Sequence, residues 1–272
     1  MYKKFFGLNE KPFNMTPDPK FLFFSREHQE AFSHLRYGIK ERKGFIEITG
    51  EVGIGKTTLC RALLNYLGKE IKTALILNSN LSPSQMLRTI VEELSIKPRK
   101  ENKKEIIAAL NNFLIEQLSL DNNVVLIIDE SQNMTPSMLE QIRMLSNLET
   151  EKEKLLQIIL VGQPELRDKL KLPHLRQLRQ RIAVRYHINP LGKEESSKYI
   201  FHRLQVAGSK GDISFTDSAM ASIFAYSGGI PRLINVVCDK ALLAGYVMET
   251  RKINGRIIKR SIEEIEGRRV NK

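Results

Sequence analysis

Glycines, a lysine and two hydroxyls at fixed spacing carry the first chemistry in this chain: Gly50, Glu51, Val52, Gly53, Ile54, Gly55, Lys56, Thr57 and Thr58 read GEVGIGKTT. They stand between the apolar run FIEIT at 45 to 49 and the helical pattern LCRALLNYL. This is the strand, loop and helix setting that a phosphate loop requires. Successive backbone N–H groups of such a loop wrap a phosphate, the dipole of the following helix adds to the attraction, and glycine permits backbone conformations that a side chain would obstruct. Lys56 is placed to reach the β- and γ-phosphates, and the Thr57 hydroxyl to complete a magnesium site. An ordinary glycine-rich turn is the bland alternative, and the agreement of motif and setting argues against it.

Acidic and amide groups follow at the ends of later apolar runs. In VVLIIDE, Asp129 and Glu130 leave a buried strand, where an ionised pair needs a counterion or a reaction to justify its position. Asp129 fits water-mediated coordination of magnesium, and Glu130 fits polarisation of an attacking water, so the pair predicts hydrolysis rather than passive binding; carboxylates capping a helix are the plainer reading. In LQIILVGQPEL, Gln163 lies just past the next strand, where an amide orients water or touches the γ-phosphate, against the plainer reading of a polar turn.

Arginines complete the set. LRQLRQRIAVRY holds Arg176, Arg179, Arg181 and Arg185, any of which reads as solvated surface. One of them inserted into a neighbouring subunit would neutralise charge developing on a transferring phosphate. Arg181, directly before a strand, is the first choice and Arg179 the second. In SGGIPRLINVVCDKALL, Gly228 and Gly229 end one helix, Pro231 opens the next, and Arg232 projects from its first turn. A cation there opposes the helix dipole unless an anion compensates it, which a γ-phosphate would do.

The elements that must position these residues are legible in the hydrophobic pattern. The 272 residues are 42% hydrophobic and 27% charged, which excludes a disordered tail and predicts one large or two modest folded domains. Apolar runs at 45 to 49, 73 to 78, 124 to 128 and 156 to 161 alternate with helical stretches, and IAVRYHI at 182 to 188 alternates apolar and polar as an edge strand does. Strands separated by crossovers predict an α/β fold with a mostly parallel, five-stranded sheet and helices on both faces. From Lys193 the pattern is helical only: Lys193 to Val206, Thr216 to Tyr226, Pro231 to Met248, and a last helix from Ser261 to Glu266, with Lys252 to Lys259 expected as a short hairpin or extended turn around Asn254 and Gly255. The expected division is an arm over 1–25, a core over 26–190 and a helical domain over 191–272. The arm is rich in proline and phenylalanine, so its aromatics are expected to pin an extended segment onto the following core.

The net charge of +12 favours contact with anionic surfaces such as nucleic acid, phospholipid or nucleotide. Cys60 and Cys238 fall in helical stretches far apart and read as reduced core thiols, not as a disulfide framework or zinc site. The opening MYKKFFGLNEKPF lacks the apolar segment of a secretory signal, and no run reaches the length of a membrane span, so a soluble cytoplasmic protein is expected, with attachment to the inner face of the membrane as a variant.

In order, these motifs resemble the AAA+ ATPase superfamily, whose members carry an αβα core of five strands followed by a helical lid. The resemblance implies that Gly50 to Thr57 are Walker A, that Asp129 and Glu130 are Walker B, that Gln163 holds the sensor 1 position, Arg181 the arginine finger and Arg232 the sensor 2 position. It implies ATP or ADP with Mg2+ as ligands, a homo-oligomeric ring or spiral, and turnover that depends on assembly. A narrower resemblance, carried by YKKFFGLNEKPFNMTPDPKFLFFSREHQEAFSHLRYGI, ILVGQPELRDKL and LRQLRQRIAVRYHINPL, is to the ExeA-like secretion ATPases and the related ATPases of exosortase gene clusters. It implies a secretion or envelope protein as partner and an adenine pocket bordered by some of Phe13, Pro17 and Phe24 to His28. Leu22 and the other hydrophobes of the arm then serve as packing. ATPases of that type often continue into a transmembrane helix and a peptidoglycan-binding domain; the present sequence ends at Lys272 in the basic stretch RRVNK, which reads as a juxtamembrane approach or an ordinary terminus. DNA-associated AAA+ ATPases and a nucleotide-controlled scaffold with little turnover are the alternatives. The cluster of Arg99, Lys100, Lys103 and Lys104 alternates with Glu101 and Glu105 and is explained as well by a solvated helix start as by phosphate contact.

Overall fold

A computed structural model of the chain describes residues 2–77, 79–150 and 153–267; the basic stretch at 268–272 lies outside the described residues. In chain order the helices are α1 (Tyr2–Phe5), α2 (Arg26–Lys40), α3 (Lys56–Tyr66), α4 (Pro83–Glu93), α5 (Lys103–Ser119), α6 (Pro136–Leu145), α7 (Pro164–Leu170), α8 (Arg176–Arg181), α9 (Lys193–Val206), α10 (Asp217–Ser227), α11 (Pro231–Val247) and α12 (Gly255–Ile265). The strands are β1 (Phe45–Gly50), β2 (Ile71–Ile76), β3 (Asn123–Ile128), β4 (Gln157–Gly162), β5 (Ile182–Ile188), β6 (Ser214–Phe215) and β7 (Lys252–Ile253). By their contacts the residues fall into two compact units, one of 27–50 with 59–188 and one of 1–26, 51–58 and 189–272.

The first unit is built on a parallel sheet of order β2-β3-β4-β1-β5. Parallel neighbours need crossovers, and the helical stretches between the apolar runs supply them. The central strands β1 and β4 are buried along their whole length, which is why they read as continuous apolar runs and not as alternating ones. Thr49 pairs with Gly162 and Ile128 with Leu160, so β1, β3 and β4 end at one edge of the sheet. Residues that follow β3 and β4 therefore gather at the carboxyl edge, where α/β sheets place ligands. β5 is the edge strand expected from its alternation: Ile182, Val184 and Ile188 are buried, while Arg185 pairs with Glu47 of β1 at 3.2 Å. Burial pushes the Glu47 carboxyl above its ordinary range, and the Arg185 guanidinium opposes the shift. Helix α2 lies close against β1 because position 38 is glycine; a Cβ there would collide with the side chain of Ile46.

The helical unit has its own core. Ile200, Leu204, Ile223, Ile234, Val237 and Cys238 pack with Tyr2, Phe6, Phe13 and Phe21 of the N-terminal residues. The arm was expected on the following core; its aromatics instead fill the interior of the helical unit. The fastener is Arg203 of α9, a buried cation whose guanidinium stands 4.5 Å from the Phe21 ring centroid and donates to the carbonyl of Asn14 at 3.1 Å and to that of Pro12. The arm is not wholly extended, since α1 forms before its first proline and a short 3-10 turn spans Pro19–Phe21. The expected hairpin over 252 to 259 is also corrected. Lys252–Ile253 pair in parallel with Ser214–Phe215, and Asn254 caps α12 by accepting from the N–H groups of Arg256 and Ile257 at 3.1 Å, so the last helix begins at Gly255 and not at Ser261. Cys60 and Cys238 are buried and form no disulfide among the described residues, and burial pushes the Cys238 thiol well up. Among the described residues no helix is long and apolar enough to cross a membrane.

Candidate functional site

At the carboxyl edge of the sheet, chain geometry dictates where the acidic groups point. Asp129 is buried, and its main-chain N–H donates to the Ile76 carbonyl at 2.8 Å, extending the β2 to β3 ladder by one residue. Its Oδ1 accepts the Glu130 N–H at 2.8 Å. Glu130 then takes a left-handed conformation with φ of 53°, which a residue bearing a Cβ adopts only where its surroundings impose it. Those surroundings are two donors to its carbonyl, the Ser79 hydroxyl at 2.6 Å and the Asn133 N–H at 2.9 Å.

The Glu130 carboxylate is held by two amides. Its Oε2 accepts from Gln132 Nε2 at 2.5 Å and from Gln163 Nε2 at 3.2 Å. Gln163 occupies the cap position of α7 with an extended backbone, yet its side chain makes no cap hydrogen bond and turns to Glu130 instead. The structure thus brings Glu130 and Gln163 together, and adds Gln132, which the sequence reading passed over. The only sequence signal for it was an amide two residues beyond the acidic pair.

The residues 51–58 show the geometry that a phosphate loop needs. Gly53 and Gly55 have φ of 79° and 107°, conformations that disfavour any residue with a Cβ. The loop runs into α3, eleven residues long, at Lys56. The Lys56 side chain is 6% exposed, and its ammonium donates to the Glu51 carbonyl at 2.9 Å, which keeps the cation folded back over the loop. Arg232, in the first turn of α11, reaches the same loop: its N–H donates to the Gly53 carbonyl at 3.1 Å, and a Cβ added to Gly53 would run into the Arg232 side chain. Left-handed glycines, a helix start, a lysine and an arginine fit an anionic phosphate.

Arg181 is engaged within its own chain. Its Nη1 donates to Ser146 Oγ at 2.7 Å, to the Arg143 carbonyl at 3.3 Å and to Asn147 Oδ1, so it caps the C-terminal end of α6 in its own chain. Arg176 and Arg179 are exposed, and neither guanidinium has a partner among the described residues. Phe13, one of the residues expected near adenine, is buried in the core of the helical unit, whereas Phe24 is 41% exposed.

Residues 39–170, from the end of α2 to α7, match the family described as AAA domain, and the fold is that of the AAA+ P-loop ATPases. The chain is similar to general secretion pathway protein A of Aeromonas hydrophila, at 44% identity over 268 residues that cover 98% of this chain and 49% of that protein; the chain spans about half the length of this curated relative. Solved structures agree on the fold. The CDC6P protein of Pyrobaculum aerophilum superposes with a TM-score of 0.71 at 17% identity, covering 92% of this chain and 71% of that one. The ORC2 protein of Aeropyrum pernix, in its ADPNP-ADP complexes, gives 0.68 at 16% identity, covering 97% and 73%. The RuvB Holliday junction branch migration motor of Thermotoga maritima gives 0.58 at 17% identity, covering 88% and 69%.

Proposed function

We propose that this chain hydrolyses ATP and that turnover depends on assembly of several copies. The observation that carries the reading is the Glu130 carboxylate, turned out of the end of β3 by a left-handed residue and held by amides from its own turn and from the tip of β4. In this role Glu130 accepts a proton from the attacking water, Gln163 orients that water or the γ-phosphate, and the loop 50–58 binds the phosphates through its N–H groups and Lys56. Thr57 and Asp129 are the residues that would hold magnesium, which when bound neutralises charge on the phosphate oxygens. Arg232, tied to the loop through Gly53, reports the state of the γ-phosphate to α11. With Arg181 engaged in its own chain, the arginine given to a neighbouring subunit is Arg179, the second choice of the sequence reading. A trans arginine brings two unlike faces together at every interface, which gives a ring or open spiral.

The similarity to a secretion protein supports coupling of this activity to an envelope or secretion machine, with a protein partner at the inner face of the membrane. The charge of +12 supports duplex DNA as the alternative anionic partner. Steady-state ATP hydrolysis measured against protein concentration, alone and with duplex DNA or anionic liposomes, tests these readings beside Glu130→Gln. A specific rate that climbs with concentration and is lost in Glu130→Gln is the expected result, and the additive that raises it selects the partner. Tight ATP binding with no turnover above Glu130→Gln under any condition overturns hydrolysis and leaves a nucleotide-controlled scaffold.

A further inference from the structure

Gln132 has no role in the reading above, yet its side chain is used at both ends. Its Nε2 donates to Glu130 Oε2 at 2.5 Å, and its Oε1 accepts the main-chain N–H of Gln163 at 3.0 Å. It therefore bridges the acidic residue after β3 and the sensor residue after β4. The turn that carries it, the 3-10 segment Ser131–Asn133, is itself pinned: the Lys169 ammonium of α7 donates to the Met134 carbonyl at 2.7 Å and to the Gln132 carbonyl. Room for the amide depends on Gly162, where a Cβ would stand 3.0 Å from Gln132 Oε1 and 2.9 Å from Leu166.

Both amide donors to Glu130 take the same oxygen. Oε2 receives Gln132 and Gln163, while Oε1 has no protein donor among the described residues. A carboxylate held in this way cannot rotate freely about its terminal torsion, and the oxygen that remains is the one able to accept a proton from water. We infer that Gln132 is a positioning residue that fixes the Glu130 carboxylate by one oxygen, presents the other to the attacking water, and locks Gln163 in the same register. The inference rests on the hydrolysis reading and adds to it the group that aims the base. Neither donor transfers a proton; each is a neutral amide that only holds the carboxylate in place.

The test is steady-state ATP hydrolysis by the 272-residue chain, with nucleotide affinity measured separately by a fluorescent ADP analogue and thermal unfolding followed in parallel, for the wild type, Gln132→Ala, Gln132→Glu and Glu130→Gln. Loss of aim with the binding loop intact is expected to lower kcat in Gln132→Ala by about 10- to 100-fold while the affinity stays within about threefold. Gln132→Glu, near-isosteric but without the amide donor, is expected to lose kcat to a similar extent. A merely structural role would lower stability and leave the kcat of the folded variant in place. An unchanged kcat in a folded Gln132→Ala overturns the inference alone, since wild-type turnover above Glu130→Gln keeps the hydrolysis reading. A wild-type rate no greater than that of Glu130→Gln overturns both. Should Gln132→Ala fail to fold, the near-isosteric Gln132→Glu decides by its kcat.

Discussion

The N–H of Arg232 donates to the carbonyl of Gly53 at 3.1 Å, and the Arg232 side chain runs past the Gly53 Cα where any Cβ would stand. The first turn of α11 is thereby fastened to the phosphate loop by a main-chain hydrogen bond and by the packing of its arginine against Gly53. Gly53 is required twice over, for its left-handed φ of 79° and for the room it leaves.

Gly53→Ala should therefore cost about 1–3 kcal/mol from backbone strain alone and disturb the loop's hold on phosphate. Thermal unfolding with and without ADP checks this: the variant is expected to melt lower than the wild type and to gain less from added ADP. A variant with the wild-type melting point and the full ADP-dependent gain would show that the loop conformation is not needed.

Arg179 and Arg181 should separate. Removing Arg181 leaves the end of α6 without its side-chain donor, at a cost of roughly 1–2 kcal/mol in chemical denaturation. Arg179→Ala should melt as the wild type does and lose about a thousandfold in turnover. Mixing Arg179→Ala with Lys56→Ala checks the trans assignment, because an intact loop in the first protein then meets an intact arginine in the second, and activity should partly return. No recovery on mixing would place the essential arginine elsewhere.

Arg203→Ala should release the N-terminal arm. The substitution strips the carbonyls of Pro12 and Asn14 of a charged donor and the Phe21 ring of its cation, for a loss of roughly 2–4 kcal/mol. Limited proteolysis is expected to cut between Gly7 and Lys20 in the variant before the wild type is touched there. Arg203→Lys keeps the charge but not the fork of donors and should fall between the two.

His202 should make the helical unit sensitive to acid. Its ring lies against Phe23, its Nε2 is buried without a partner among the described residues, and burial, reinforced by the Arg203 charge, holds its pKa below the ordinary 6.5. The unfolded chain therefore binds this proton first, and stability falls as pH drops from 6.5 toward the depressed folded value, with no further loss from this group below it. Melting temperature followed down the pH scale should decline more steeply for the wild type than for His202→Leu through that window. Parallel curves would exclude His202 as the source.

What the sequence determined by itself is local in origin. The glycines at 53 and 55 announce the left-handed backbone they adopt, continuous apolar runs announce buried parallel strands, and the order of motifs announces an AAA+ core with helices behind it. Each of these depends on neighbours a few residues apart, so a linear reading holds them. The roles of Gln132, Arg181 and Arg203 depend on groups far along the chain. Gln132 meets Gln163 across 31 positions because β3 and β4 pair in parallel, Arg181 meets Ser146 across 35, and Arg203 meets Pro12 across 191. No periodicity or spacing encodes such meetings. An arginine in a basic run is chemically the same whether it caps a helix of its own chain or faces a neighbour, and an amide after an acidic pair is the same whether it aims a carboxylate or faces water. Tertiary structure decides, since hydrogen bonds act only over a few ångströms and packing alone brings distant residues within that range.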